Sequence, residues 1–150
     1  MLETVPSEDA KNVNKHYHSS SVKKRLLLVD DTDAVRRVVG SMLRIQGGFD
    51  VDPAANGAVA RDMLSKNRYD VLLVDLNMPV MNGIELYRCI EEEYPEVATR
   101  VVFISADTPG PQARSFFAKV NRPFLSKPFA IEAVMNAFKS CTDSREAESC

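Results

Sequence analysis

The sequence predicts an α/β protein, a (βα)5 unit in which helices cover both faces of one parallel sheet. Three observations predict it. Apolar runs of strand length alternate with segments of helical period from Arg25 to about Lys139. Three of those runs, LLLVD (26–30), VLLVD (71–75) and VVFIS (101–105), are apolar up to their last residue. Each of the three then closes on an acid or a hydroxyl. Uninterrupted apolar strands belong to parallel sheets buried on both faces. Strict alternation with helices imposes right-handed crossovers and a three-layer arrangement.

Residues 1–22 are polar and unpatterned and read as a flexible tail. His16 and His18 within it have a spacing that a metal could use, but chance explains the pair better on such a tail. The first central strand, 26–30, leads into a helix whose apolar residues Val35, Val38, Val39, Met42 and Leu43 recur at helical spacing. Thr32 or Asp33 is placed to cap its start, and Gly47-Gly48 to end it. The next strand, FDVDPA (49–54), carries a proline and therefore belongs at a sheet edge. After the Asn56-Gly57 turn, Ala60, Met63 and Leu64 mark a second helix. The second central strand, 71–75, is followed by a helix marked by Leu86, Cys89 and Ile90 and stopped by Pro95. The third, 101–105, precedes a helix marked by Ala113, Phe116, Phe117 and Val120, with Pro111 in its first turn. PFLSK (123–127) is the other edge strand, and Ile131, Val134, Met135 and Phe138 mark the last helix. The expected folded unit is 23–140, with 141–150 as a second flexible tail. Central strands 1, 3 and 4 between edge strands 2 and 5 give the flavodoxin-like order 2-1-3-4-5, whose crevice opens at the carboxyl ends of the strands.

Composition narrows the possible functions. At 150 residues with 45% hydrophobic content, the chain can bury one proper core. A formal charge of -2 with mixed signs gives nucleic-acid binding no electrostatic support. Lys23-Lys24-Arg25 is a solvated lead-in to the first strand. No apolar run approaches the ~20 residues of a membrane span, and no signal-peptide layout opens the chain, so the cytoplasm is the expected location. Cys89, Cys141 and Cys150 are widely spaced, without a CxxC, and suggest neither a disulfide framework nor a zinc site. Cys89 is expected in a reduced core.

The residues that break the apolar pattern all fall at one end of the predicted sheet. Strand 1 ends in Asp30-Asp31, strand 3 in Asp75, strand 4 in Ser105, and strand 5 in Lys127-Pro128. Singly, each is a cap, a turn residue or an exposed terminus. Together they describe a site. Three carboxylates in one crevice repel each other and are most easily kept ionised by a divalent cation. Oxygen ligands without His or Cys suit a hard ion, Mg2+. A cation beside a carboxylate, a hydroxyl and an ammonium makes a receptacle for a phosphoryl group. In it Asp75 attacks, Lys127 neutralises oxygens and Ser105 donates a hydrogen bond.

This acid pair, the Asp75-Leu-Asn-Met-Pro-Val-Met-Asn-Gly83 run, the hydroxyl at Ser105 and Lys127-Pro128-Phe129 resemble the receiver domains of two-component response regulators, including the single-domain chemotaxis regulator. The resemblance spans about Leu26 to Lys139. It implies that Asp75 is the phosphoacceptor and a metal ligand, Asp31 a direct Mg2+ ligand, and Asp30 a partner acting through metal-bound water. It further implies that Asn77 gives its backbone carbonyl to the metal, Lys127 pairs with phosphoryl oxygens, and Pro128 follows a cis peptide. Ser105 and Phe124 become the switch pair, the ring turning inward when the hydroxyl moves toward the phosphoryl group. Asn77 and Asp107 would tune water access. The implied partner is a histidine kinase or histidine phosphotransfer protein, and the role is signalling rather than turnover of a substrate. The about ten polar residues after the last helix are too few for an output domain. NRPFLSKPF (121–129) is similar to receivers attached to hybrid sensor kinases, which leaves open that this is one domain of a longer protein. ADTPGPQ (106–112) departs from the family by delaying the fourth helix, which bears on the output surface.

Two other readings remain open. A haloacid-dehalogenase-like phosphatase would use Asp31-Thr32-Asp33 as its Asp-x-Asp, and a pseudo-receiver would keep the fold without chemistry. A nucleotide enzyme has no support, since neither a P-loop nor a Rossmann glycine pattern is present.

Overall fold

The computed structural model describes residues 23–106 and 108–149, with side chains as far as Cys141. Its strands are β1 (Arg25–Val29), β2 (Asp50–Ala54), β3 (Val71–Asp75), β4 (Val101–Ser105) and β5 (Phe124–Ser126). They form one parallel sheet in the order β2-β1-β3-β4-β5. Five helices alternate with them: α1 (Asp33–Ile45), α2 (Gly57–Lys66), α3 (Gly83–Glu93), α4 (Pro111–Lys119) and α5 (Ile131–Ser149). A single helical turn, Pro95–Ala98, follows α3. Both proline-bearing or short strands lie at the edges, as their sequences require.

Side-chain alternation along the strands divides the core between the two faces. Leu27, Val29, Leu72, Val74, Val101 and Phe103 pack with Ala60 and Leu64 of α2, Leu86 and Ile90 of α3, and Phe116 of α4. Leu26, Leu28, Val71, Leu73, Val102 and Ile104 pack with Leu43 of α1 and with Ile131, Val134 and Ala137 of α5. Each such fully buried side chain contributes roughly 1.5–3 kcal/mol, which explains why 26–29 of β1, 71–74 of β3 and 101–104 of β4 are apolar throughout.

Local signals set the helix ends. Asn56 caps α2 by accepting from the Val59 N–H at 2.9 Å. Asn82 and Glu85 form a reciprocal capping box on α3, at 2.9 and 3.0 Å. Pro111 opens α4 after Gly110, so the helix starts where the proline's fixed φ favours it.

Three expectations need correction. Thr32 occupies the N-cap of α1 but its side chain makes no capping bond. Instead its N–H donates to the Asp30 carboxylate at 2.9 Å, so the acid two residues earlier starts the helix. Cys89 is only half-buried, because the inward face of α3 is centred on Gly83, Ile84, Leu86, Tyr87 and Ile90; Cys141 is the buried thiol. The segment 141–150, expected as a tail, is helical through Ser149, since no glycine or proline interrupts α5. The histidine pair and the tail at 1–22, Asp107 and Cys150 lie outside the described residues. No helix among the described residues is long and apolar enough to cross a membrane.

Candidate functional site

Register brings the polar strand ends together. Val29 lies beside Val74, Asp75 beside Ile104, and Ser105 beside Ser126. The residue after β1, the last residues of β3 and β4, and the residue after β5 therefore share one rim of the sheet. These are Asp30, Asp75, Ser105 and Lys127. All but Lys127 are buried, at 0%, 5% and 1% exposure, and they are the buried polar or charged residues among those described.

The backbone holds each of them in place. The Arg36 guanidinium, one turn into α1, donates to the Asp30 carbonyl at 2.7 Å, and the Asp30 N–H donates to the Ala54 carbonyl at 3.1 Å. The Lys127 N–H donates to the Ser105 carbonyl at 2.8 Å, which ties β5 to the rim, and the Lys127–Pro128 peptide is cis. Gly83 lets α3 begin against the end of β3. A Cβ there would lie 2.5 Å from the Asp75 carbonyl oxygen and 3.0 Å from the Leu76 Cα, so a hydrogen is all the position admits.

Within the crevice, oxygens of Asp30, Asp31 and Asp75 lie within 4.8 Å of one another. Lys127 Nζ donates to Asp30 Oδ2 at 2.6 Å and sits 3.9 Å from Asp75 Oδ1. The amine thus neutralises the more buried acid first and reaches the second electrostatically. Burial, and then the negative charge of Asp30, push the Asp75 carboxyl up to about 7; Lys127 and the Asn77 N–H oppose this, and Asp31 adds to it. A cleft of about 340 Å³ opens beside the rim, lined by Asn77, Asn82, Ser105, Thr108 and Gln112 among others.

The predicted residues that meet here are Asp30, Asp31, Asp75 and Lys127. Ser105 joins them through Asn77, whose side-chain amide donates to Ser105 Oγ at 3.2 Å while its N–H points at Asp75 Oδ1 from 3.4 Å. Phe124 stands apart from the acids. Its ring packs against Phe117 of α4, centroids 5.4 Å apart, and Phe117 stacks edge-on against Phe103 of β4 at 5.3 Å. Asp33 faces away: it is exposed and paired with Arg36 and Arg37 at 3.3 and 3.0 Å, so the Asp-x-Asp of a phosphatase has no second acid in the crevice. Arg36 and the Asn77 amide are parts of the site that the sequence did not reveal.

A parallel sheet of this order with an acidic pocket at its carboxyl rim defines an open, flavodoxin-like α/β architecture with its site at the topological switch point. The comparisons with known proteins identify it further. Residues 26–139 match the model of the response regulator receiver domain, and the chain belongs to that family. It is 36% identical over 109 residues to a "Chemotaxis protein CheY homolog" of Campylobacter jejuni, covering 70% of this chain and 82% of that one. It is 29% identical over 124 residues to "Sensor kinase CckA" of Brucella abortus, covering 81% of this chain but 13% of the kinase. Of a protein-glutamate methylesterase/protein-glutamine glutaminase of Hahella chejuensis, 36% identical over 81 residues, it spans 22%. The structure of the chemotaxis protein CheY4 of Vibrio cholerae superposes with a TM-score of 0.69 at 26% identity, over 80% of this chain and 99% of that one. The chain is therefore a receiver domain of two-component signalling.

Proposed function

We propose that this receiver accepts a phosphoryl group on Asp75 from a phosphohistidine of a histidine kinase or a histidine phosphotransfer protein, in the presence of Mg2+. The observation that carries the reading is the meeting of three carboxylates with one ammonium at the carboxyl rim. An Asp75 carboxylate oxygen attacks phosphorus, the bond from phosphorus to the imidazole nitrogen breaks, and an acyl phosphate forms while the donor histidine leaves with its electron pair.

The residues present suit a hard cation: every donor is an oxygen, and a bound dication would offset both the burial and the Asp30 repulsion that lift Asp75. Asp31, Asp75 and the Asn77 carbonyl would hold Mg2+ directly, with Asp30 reached through water; once bound, it supplies positive charge against the phosphoryl oxygens. Lys127, already within 3.9 Å of Asp75, adds its charge to the same oxygens. Ser105 donates to one of them, and its displacement makes room for Phe124 to turn further inward. Because Phe124 lacks a hydroxyl, apolar burial alone drives that turn.

The output is a protein surface near α4, β5 and α5, reached by a partner or a neighbouring domain. The receiver's role is to carry a signal, and its place is the cytoplasm, where ATP-fed kinases work. Intact mass measured with Mg2+ and a small acyl phosphate tests the assignment. The wild type should gain one phosphoryl group and Asp75→Asn none; an equal gain in the variant would overturn the role of Asp75.

A further inference from the structure

Asp31 is exposed and its carboxylate makes no hydrogen bond or ion pair among the described residues, yet one of its oxygens lies within 4.8 Å of oxygens of Asp30 and Asp75. No partner holds the carboxylate there, so its backbone must. We infer that Arg36 is a positioning residue, a clamp on the Asp30–Asp31 peptide that presents Asp31 to the cation. This rests on the receiver reading above and adds to it a residue of α1.

Residues 30–32 belong to neither β1 nor α1, so no ladder or helix fixes their peptides. Arg36 Nη1 donates to the Asp30 carbonyl at 2.7 Å and is the donor that reaches it among the described residues. A carbonyl and the N–H that follows it share one rigid plane, so this bond orients the peptide entering Asp31. The peptide leaving Asp31 is held by the Thr32 N–H, which donates to Asp30 Oδ1 at 2.9 Å. With both flanking peptides fixed, the φ and ψ of Asp31 are set, and only its side-chain torsions remain free. Arg36 is itself braced: its other terminal nitrogen lies 3.3 Å from Asp33 Oδ1, its N–H donates to the Thr32 carbonyl at 3.0 Å, and its side chain is 19% exposed. A hydrogen bond from an ionised donor is roughly twice as strong as a neutral one, which suits it to hold a peptide that nothing else restrains.

Charge and clamp predict opposite signs. As a bare positive charge near three carboxylates the guanidinium repels a dication, and its removal tightens Mg2+ binding. As a clamp it places a ligand, and its removal weakens binding. Arg37 separates the two, because it is the adjacent cation, pairs with the same Asp33 at 3.0 Å, is 72% exposed and makes no hydrogen bond to Asp30.

The test is Mg2+ affinity, from NMR titration of wild type, Arg36→Met, Arg36→Gln and Arg37→Met. Arg36→Met keeps the aliphatic stem and should bind Mg2+ about tenfold more weakly, the usual loss when a group that orients a metal ligand is removed. Arg36→Gln, whose amide stops short of the carbonyl, should lose about as much, so the result does not hang on one variant folding. Arg37→Met should not weaken binding by more than about twofold. A second readout needs no metal: the backbone order parameter of Asp31, from nitrogen relaxation, should fall in the Arg36 variants and hold in Arg37→Met. Equal or tighter binding by the Arg36 variants, the same loss in Arg37→Met, or an unchanged order parameter at Asp31 would overturn the clamp and leave the receiver reading intact. A wild type that binds no Mg2+ would remove both.

Discussion

Asp75→Asn should stabilise the metal-free protein, although it removes the group on which the proposed function depends. The carboxyl is 5% exposed and ionises at about 7 in the fold, against 3.8 for an ordinary aspartate. An acid whose folded pKa is raised favours the fold when protonated. Its contribution is intact below about pH 4 and is lost as pH rises towards and through about 7. With those two values, ionisation costs the folded state under about 1 kcal/mol at pH 4, about 3 at pH 6 and about 4 at pH 8. Asparagine has nearly the same shape and never ionises, so at pH 8 the variant should exceed wild type by about 2–4 kcal/mol. Urea denaturation in EDTA at pH 4, 6 and 8, with both proteins followed by circular dichroism, measures the gap directly. It should be small at pH 4 and widen with pH. A wild type as stable as the variant at pH 8, or a gap that does not shrink on acidification, would show that burial and Asp30 do not strain Asp75.

Three further outcomes follow from the same geometry. Mg2+ should raise the melting temperature of the wild type more at pH 8 than at pH 5, because the protonated carboxyl is a poor ligand; differential scanning calorimetry of wild type and Asp31→Asn checks this, and an equal rise in the variant would remove Asp31 from the ligand set. Gly83→Ala should destabilise by about 2–3 kcal/mol, since the new methyl meets backbone at 2.5 Å and the start of α3 must retreat from Asp75; a loss under about 0.5 kcal/mol in denaturant would contradict that contact. Val80, 81% exposed in the loop between β3 and α3, has φ 70, a left-handed conformation that a β-branched residue adopts only under strain. Val80→Asn should therefore stabilise by about 1 kcal/mol, and a melting temperature at or below that of wild type would count against the strain.

Where the sequence and the structure agree, the signals are short-range. The runs at 26–30, 71–75 and 101–105 announce central strands because any polar residue inside a doubly covered strand would be buried without a partner. The prolines near 53 and 123 send the other two strands to the edges for want of a backbone donor. Where they differ, the answer depended on neighbours distant in sequence or on a small rotation about a helix axis. Cys89 keeps the spacing of Leu86 and Ile90 yet sits on the flank of α3, while Cys141, beyond the last periodic residue, is buried. Thr32 has the chemistry of a cap and the N-cap position of α1, yet its side chain accepts no capping bond, and the acid two residues earlier organises the turn by accepting from the Thr32 N–H.

By itself the sequence determined which chain segments become strands and helices, the order of the sheet, and that acids, a hydroxyl and an amine end up on one rim. Periodicity and turn chemistry encode those things locally. Only the tertiary structure decided which of those groups bond to which. It gave Lys127 to Asp30 at 2.6 Å across 97 residues of chain, left Asp75 at 3.9 Å, and set the Asn77 amide on Ser105. Such choices turn on differences of about an ångström between competing partners, and those differences exist only once the layers have packed.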